Sequence, residues 1–250
     1  MSTPTYLQAD WPVVPGVRAL CTLRAGGVSL APFDSFNFGQ RVGDDPAALE
    51  QNLLRLSAAA QLPGPPQWLE QVHGVEVVDL DQPGSRRADA ALTRRAGVVC
   101  AIQTADCLPV LLTATDGSAV AAAHAGWRGL AGGVLTHTVA ALQAAATPGI
   151  GLQAWLGPAI GQDRFEVGDD VRTAFCDADA AAAAAFVAND RGRWQADLYA
   201  LARRALAAQG VTAVSGGGWC THAQGDQFYS YRRAARTGRM ASLVWIQPAG

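Results

Sequence analysis

Residues 97–133, GVVCAIQTADCLPVLLTATDGSAVAAAHAGWRGLAGG, constrain this chain more than any other stretch. Two apolar runs, 108–114 and 118–123, flank the turn signal Thr115-Asp116-Gly117. Asp-Gly between apolar runs marks a β-hairpin. With Ala114 opposite Ser118, Leu108 falls opposite His124, and Cys107 lies one step beyond. The thiol and the imidazole then share the open end of one hairpin, their backbones roughly 5–7 Å apart. Cys and neutral His are natural zinc ligands. The turn Gly126-Trp127-Arg128-Gly129 follows at once, and a helix is expected over 130–146. Strand, Gly-rich turn and helix is the layout of an anion site, to which Arg128 adds a fixed charge.

Composition narrows the class. The chain has 250 residues, 50% of them hydrophobic, which is ample for one core, so a single domain over 1–250 is expected. Nineteen Lys and Arg stand against 21 Asp and Glu, giving a net charge of −2. No basic stripe marks a nucleic-acid binder. No run of about 18 apolar residues marks a membrane span. MSTPTYLQADWPVVPG lacks the cationic and apolar regions of a signal peptide. The five cysteines, Cys21, Cys100, Cys107, Cys176 and Cys220, are odd in number and scattered, which fits a reducing cytoplasm.

The remaining stretches read as interleaved strands and helices. Residues 17–23 predict a strand leading into a tight loop at Gly26-Gly27. In the next loop Phe33, Phe36 and Phe38 surround Asn37, either as satellite core or as walls for a flat ligand. Asp45-Pro46 caps a helix whose inner face carries Leu49, Leu53, Leu56 and Ala60. Residues 67–78 read as strand, turn, strand, with His73 at the break. Ala88-Asp89-Ala90 reads as a short strand or loop, and 97–103 as a buried strand with Cys100 in the core. His137 falls in the helix over 130–146 as a structural histidine. A strand over 154–156 and a turn over 157–161 precede a helix opened by Gly168-Asp169-Asp170. The alanine run 178–188 is helix-permissive, residues 197–209 form a helix stopped by Gly210, and 211–214 and 240–246 are strands. Cys220 and His222 form a rival two-ligand pair, and Arg232 with Arg233 is either a solvated pair or an anion holder.

Taken together, QVHG, QTADCLPVLL, HAGWRG, GPAIG with FEVG, CT, and SYRR with TGRM stand in the order typical of the YfiH family. This is also called the laccase-domain or multicopper polyphenol oxidase family, and it includes the peptidoglycan editing factor. TLRAGGVS, NFG and VGDDP resemble it too, so the likeness runs from about Val17 to Ile246. The chain departs from the pattern at Asn52-Leu53, where many members have Arg after the Asn. It departs again at Ala234-Ala235-Arg236, where many have an acidic residue and Gly.

The resemblance implies a mixed α/β single domain layered α/β/β/α, related to the cytotoxic necrotizing factor catalytic domain, with the central antiparallel hairpin carrying the site. It implies metal ligation by His73, Cys107 and His124, leaving a fourth position open as in a catalytic zinc site. It also implies phosphorolysis of adenosine, inosine and methylthioadenosine, with adenosine deamination, so that purine nucleoside and phosphate are the partners. Arg128, the 126–129 turn and Arg233 are candidates for phosphate, Asn37 and Phe38 for the nucleoside, and Asp106 or Glu70 for proton transfer. The H-x-E signature of other zinc deaminases is missing, because Ala125 and Gly126 follow His124. Copper also accepts His and Cys, which keeps a laccase-like phenol oxidase as the alternative, although four histidines are few for a multicopper cluster. A metal-stabilised cell-wall-precursor editing factor without turnover is the third reading.

Overall fold

The computed structural model describes residues 5–248. A six-stranded sheet runs in the order Ala213–Gly216, Leu152–Leu156, Leu108–Ala114, Val120–Ala125, Ala90–Thr93 and Val77–Asp79. A five-stranded sheet runs Tyr6–Gln8, Val17–Thr22, Met240–Ile246, Val99–Thr104 and Pro66–Gln67. A small third sheet joins Glu166–Val167, Trp194–Ala196 and Phe186–Ala188.

Strand alternation sorts the side chains into layers. Every residue of Leu108–Ala114 is buried. Leu108, Val110, Leu112 and Ala114 pack with Val134, Leu135, Val139 and Leu142 of the helix Val134–Ala145 and with Leu201 and Leu206 of the helix Leu198–Ala208. Leu111, Val120 and Ala122 face the other way, onto Cys100, Ile102, Met240 and Val244 of the five-stranded sheet. The outer face of that sheet, with Val99, Ala101, Leu243 and Trp245, is covered by Leu56 of the helix Pro46–Ala60 and by Phe36 and Phe38. The layers are helix, sheet, sheet, helix: a mixed α/β single domain, as expected.

The central hairpin forms with its register one residue away from the expected one. Pro109, not Leu108, lies opposite His124, and Leu108 pairs with Ala125. The turn takes up Ser118: the Asp116 side chain accepts the Ser118 N–H at 3.0 Å, Gly117 adopts φ +75°, and Ala114 N–H donates to Ala119 O at 2.9 Å. A one-residue slip exchanges the faces of a strand. In the observed register Cys107, two residues before Pro109, falls on the face that carries His124. The expected register would have sent the two side chains to opposite faces.

Other differences are local. The helix after the hairpin begins earlier and is broken: Trp127–Gly132, then Gly133 at φ +96°, then Val134–Ala145. Residues 126–129 are therefore the entry to a helix rather than a free turn. The alanine run forms a 3-10 helix, Ala180–Ala185, and then the strand Phe186–Ala188, because pairing of Phe186 with Ala196 outweighs alanine's helix preference. Residues 68–76 are irregular, which frees His73 from any strand.

Candidate metal centre

Three segments meet at the open end of the hairpin. Cys107 stands just before the strand Leu108–Ala114, His124 near the end of Val120–Ala125, and His73 in the irregular 68–76 segment. Their ligand atoms all lie within 4.8 Å of one another. Cys107 Sγ is 3.9 Å from His73 Nε2, and the two imidazole rings meet edge to face with centroids 4.8 Å apart. His124 is buried, Cys107 half-buried and His73 exposed, so the cluster opens to one side. The crowding explains Gly126: a Cβ there would lie 3.0 Å from both Cys107 Sγ and His73 Cδ2.

Asp89 supports the cluster from beneath. Its buried carboxylate accepts the main-chain N–H groups of Val72, His73 and Gly74 and pairs with His124 Nδ1 at 2.8 Å. Burial works to raise the Asp89 pKa, but the bonds from His124 and Gly74 outweigh it and hold the carboxyl below its usual range. Burial also opposes ionisation of Cys107 and His124. The mutual attraction of thiolate and imidazolium, helped by Asp89 on one side and His73 on the other, pulls the thiol down and pushes the imidazole up. The donor set of two imidazoles and one thiolate-prone cysteine, with one ring oriented by a carboxylate, fits zinc.

Beside the cluster lies a cavity of about 540 Å³. Arg41, Arg128, Arg232 and Arg239 line it, against the single carboxylate of Asp106. Trp127, Phe165, Tyr231 and Ile160 supply apolar wall. Burial works against the charge of Arg239 and lowers its pKa, while Cys107 and Asp106 partly offset this.

Not every expected residue is at this site. Arg128 is: it is exposed, its guanidinium 4.3 Å from the Trp127 ring centroid. Asp106 lines the cavity, but its oxygens accept from the Thr221 hydroxyl and from the Arg232 N–H, each at 2.6 Å. Arg233 points elsewhere, donating to the carbonyls of Thr221, His222 and Phe228, and its neighbour Arg232 faces the cavity instead. Asn37 is fully buried, bonded to Asp44, Gly39 and the Arg239 N–H; it shapes the loop behind Arg239 and does not line the cavity. Phe38 packs against Phe36 and Trp68 in the outer core and does not line it either. Glu70 is drawn to Arg41 at the surface. Cys220 accepts the Gly161 N–H and, among the described residues, takes part in no cluster of three ligand residues with His222. His137 meets Val75 O, a structural contact. Sequence reasoning missed Asp89, Arg41 and Arg239. For Asp89 one signal is visible, a lone acid inside the apolar run ADAAL, since a buried charge there demands partners.

Known proteins agree with this architecture. The family described as multi-copper polyphenol oxidoreductase laccase matches residues 18–247. A purine nucleoside phosphorylase of Pseudomonas aeruginosa is 56% identical over 243 residues, covering 97% of this chain and 98% of its own length. The purine nucleoside phosphorylase YfiH of Escherichia coli is 51% identical over 239 residues, covering 95% and 97%. The crystal structure of a Neisseria meningitidis protein superposes with a TM-score of 0.91 at 47% identity, covering 98% of this chain and 100% of that one. With the His73, Cys107 and His124 cluster inside the matched span, the chain belongs to the YfiH family of multi-copper polyphenol oxidoreductase laccase proteins.

Proposed function

We propose that this protein is a zinc-dependent purine nucleoside phosphorylase. The observation that carries the reading is the cavity beside a His-Cys-His cluster, where Arg128, Arg232 and Arg239, with Arg41 paired to Glu70, stand around one already engaged carboxylate. Such a cavity favours an anionic co-substrate, and relatives at 51–56% identity are named purine nucleoside phosphorylases. His73, Cys107 and His124 would hold the metal, which supplies Lewis-acid polarisation when bound.

The chain's own residues do the rest. Arg128, with Arg232 and Arg239, binds and orients phosphate through fixed guanidinium donors. Trp127, Phe165 and Tyr231 offer flat surface to a purine. Phosphorolysis forms a bond from a phosphate oxygen to C1′ and breaks the bond from C1′ to the base nitrogen; the base leaves with the bonding pair and takes up a proton. Adenosine, inosine and methylthioadenosine share this bond and are the proposed substrates.

Deamination of adenosine at C6 is the secondary activity. It calls for a proton carrier, and the cavity's one carboxylate, Asp106, already accepts two hydrogen bonds, which favours phosphorolysis. A multicopper oxidase reading would need more clustered ligands. Among the described residues the only group of three or more metal-ligating residues is His73, Cys107 and His124. All five cysteines are free thiols, in keeping with a cytoplasmic protein, and no helix among the described residues is long and apolar enough to cross a membrane.

The test is incubation of zinc-loaded protein with adenosine, with and without phosphate. Adenine and ribose 1-phosphate, formed only with phosphate, are expected, with a smaller yield of inosine. Inosine alone in both conditions replaces phosphorolysis with deamination, and the absence of both products overturns the proposal.

A further inference from the structure

Asp89 immediately precedes the strand Ala90–Thr93, and its side chain is completely buried. Both carboxylate oxygens are doubly engaged. Oδ1 accepts the His73 N–H at 2.9 Å and lies 2.8 Å from His124 Nδ1. Oδ2 accepts the N–H groups of Val72 at 3.1 Å and Gly74 at 2.7 Å. The Asp89 carbonyl also accepts the His124 N–H at 2.7 Å. One residue thus grips the ring and the main chain of one histidine and the turn that carries the other.

A main-chain N–H only donates, so both oxygens act as acceptors, and as a carboxylate, the ordinary form of an aspartate, Asp89 offers His124 Nδ1 an acceptor and no proton. Facing an acceptor, His124 Nδ1 carries a proton. In the neutral ring this puts the lone pair on Nε2, the nitrogen available to the Cys107–His73 side. On the other flank, three successive N–H groups converge on the carboxylate because His73 adopts φ +61°, a left-handed conformation unusual for a residue other than glycine. The same turn aims the His73 ring at Cys107.

We propose that Asp89 is a positioning residue that sets both imidazole ligands with a single carboxylate, so the ligand geometry is assembled before the metal arrives. The inference rests on the reading that His73, Cys107 and His124 hold a metal. In Asp89→Asn the new amide NH2 opposes a main-chain donor whichever way it turns: the Val72 and Gly74 N–H groups at one position, or the His73 N–H at the other, where it also favours the His124 tautomer that accepts at Nδ1.

The test is competitive zinc titration of metal-free wild type and Asp89→Asn against a chromophoric chelator, on protein whose far-UV circular dichroism is native. Zinc affinity is expected to fall about 10- to 100-fold in the variant, the usual effect of removing an outer partner of a ligand. A carboxylate that served the fold alone would lower the melting temperature and leave zinc affinity of the folded protein unchanged, and that result overturns the inference. Wild type that takes up no zinc overturns the metal reading itself. If Asp89→Asn does not fold, nitrogen-15 NMR of zinc-loaded wild type decides. A slowly exchanging proton on His124 Nδ1 supports the inference, and a proton on Nε2 instead overturns it.

Discussion

Asp106 and Arg232 are joined across 126 residues of chain by one short bond, from the Arg232 N–H to Asp106 Oδ2 at 2.6 Å. The other oxygen accepts from the Thr221 hydroxyl, and the Ile160 N–H donates to the Asp106 carbonyl. Asp106 therefore gathers three loops beside Cys107 and fixes the main chain at Arg232, whose guanidinium donates to the Glu166 carbonyl at 2.9 Å.

That role separates Asp106 as scaffold from Asp106 as proton carrier. In Asp106→Asn the amide oxygen still accepts the Arg232 N–H, and the amide nitrogen can donate to the Thr221 oxygen. The expected loss is about 1–2 kcal/mol of stability, from weakened charge-assisted bonds, with the phosphorolysis rate within about tenfold of wild type. A proton carrier would lose about 100- to 10,000-fold. Thermal melting and initial rates on the same preparation decide between the two.

Cys107→Ala tests the metal. Three candidate ligands from three segments would make a site added to an already layered core. Elemental analysis is expected to find about one zinc per chain in wild type and none in the variant. The variant and the chelator-treated wild type should keep native circular dichroism at 25 °C while losing activity. Unfolding on chelation would make the zinc structural, and full zinc retention in Cys107→Ala would remove the cysteine from the ligand set.

The outline of this site is legible in the sequence, and its supports are not. Counting from the Asp-Gly turn puts Cys107 and His124 at the same open end of the hairpin, though on opposite faces. The count misses by one because the turn's closure depends on the Asp116 side chain holding Ser118. His73 is readable only through the family motif, since nothing local distinguishes one histidine before a glycine. The partners of Asp89 are mostly main-chain N–H groups, which no residue letter encodes. Arg232 and Arg233 are adjacent and chemically identical, and only the loop geometry set by Asp106 decides which of them faces the cavity. The layers read well because short continuous apolar runs, buried on both faces, and capped helices are local signals.

Acid stability gives a check away from the site. Asp81 accepts from the Thr93 hydroxyl at 2.5 Å and from the main chain and Nε of Arg94. Burial alone would raise its pKa, but the bonds from Thr93 and Arg94 outweigh it and lower the pKa. A carboxyl depressed on folding contributes stability that is fully present above its unfolded value, about 3.9. That contribution is lost as the pH falls through the lower, folded value. Asp81→Asn is expected to lower stability at pH 7 by about 1–3 kcal/mol, with a shallower further decline below about pH 4. Denaturant titrations at pH 7, 4 and 3 measure both, and equal acid sensitivity in the two proteins would refute the assignment.

Arg128 is the last and sharpest test of the function. If its task were to tie the 126–129 segment to the core, its guanidinium would bond to that core. It is exposed instead, lies over the Trp127 ring and, among the described residues, forms no ion pair or hydrogen bond to the protein. It stands four residues after His124, on the wall shared by the metal cluster and the cavity. Arg128→Lys keeps the charge but loses the planar fork that grips two phosphate oxygens. Loss of one charge-assisted contact is worth about 1.5–3 kcal/mol, which is roughly ten- to a hundredfold in phosphate-dependent rate. Zinc content and melting temperature should not change, because neither ligand geometry nor packing depends on this side chain. A rate series against phosphate concentration reads the effect directly. Unchanged phosphate dependence with normal melting would take Arg128 out of the mechanism, and a lowered melting temperature with activity falling only in proportion to the folded fraction would return it to the scaffold.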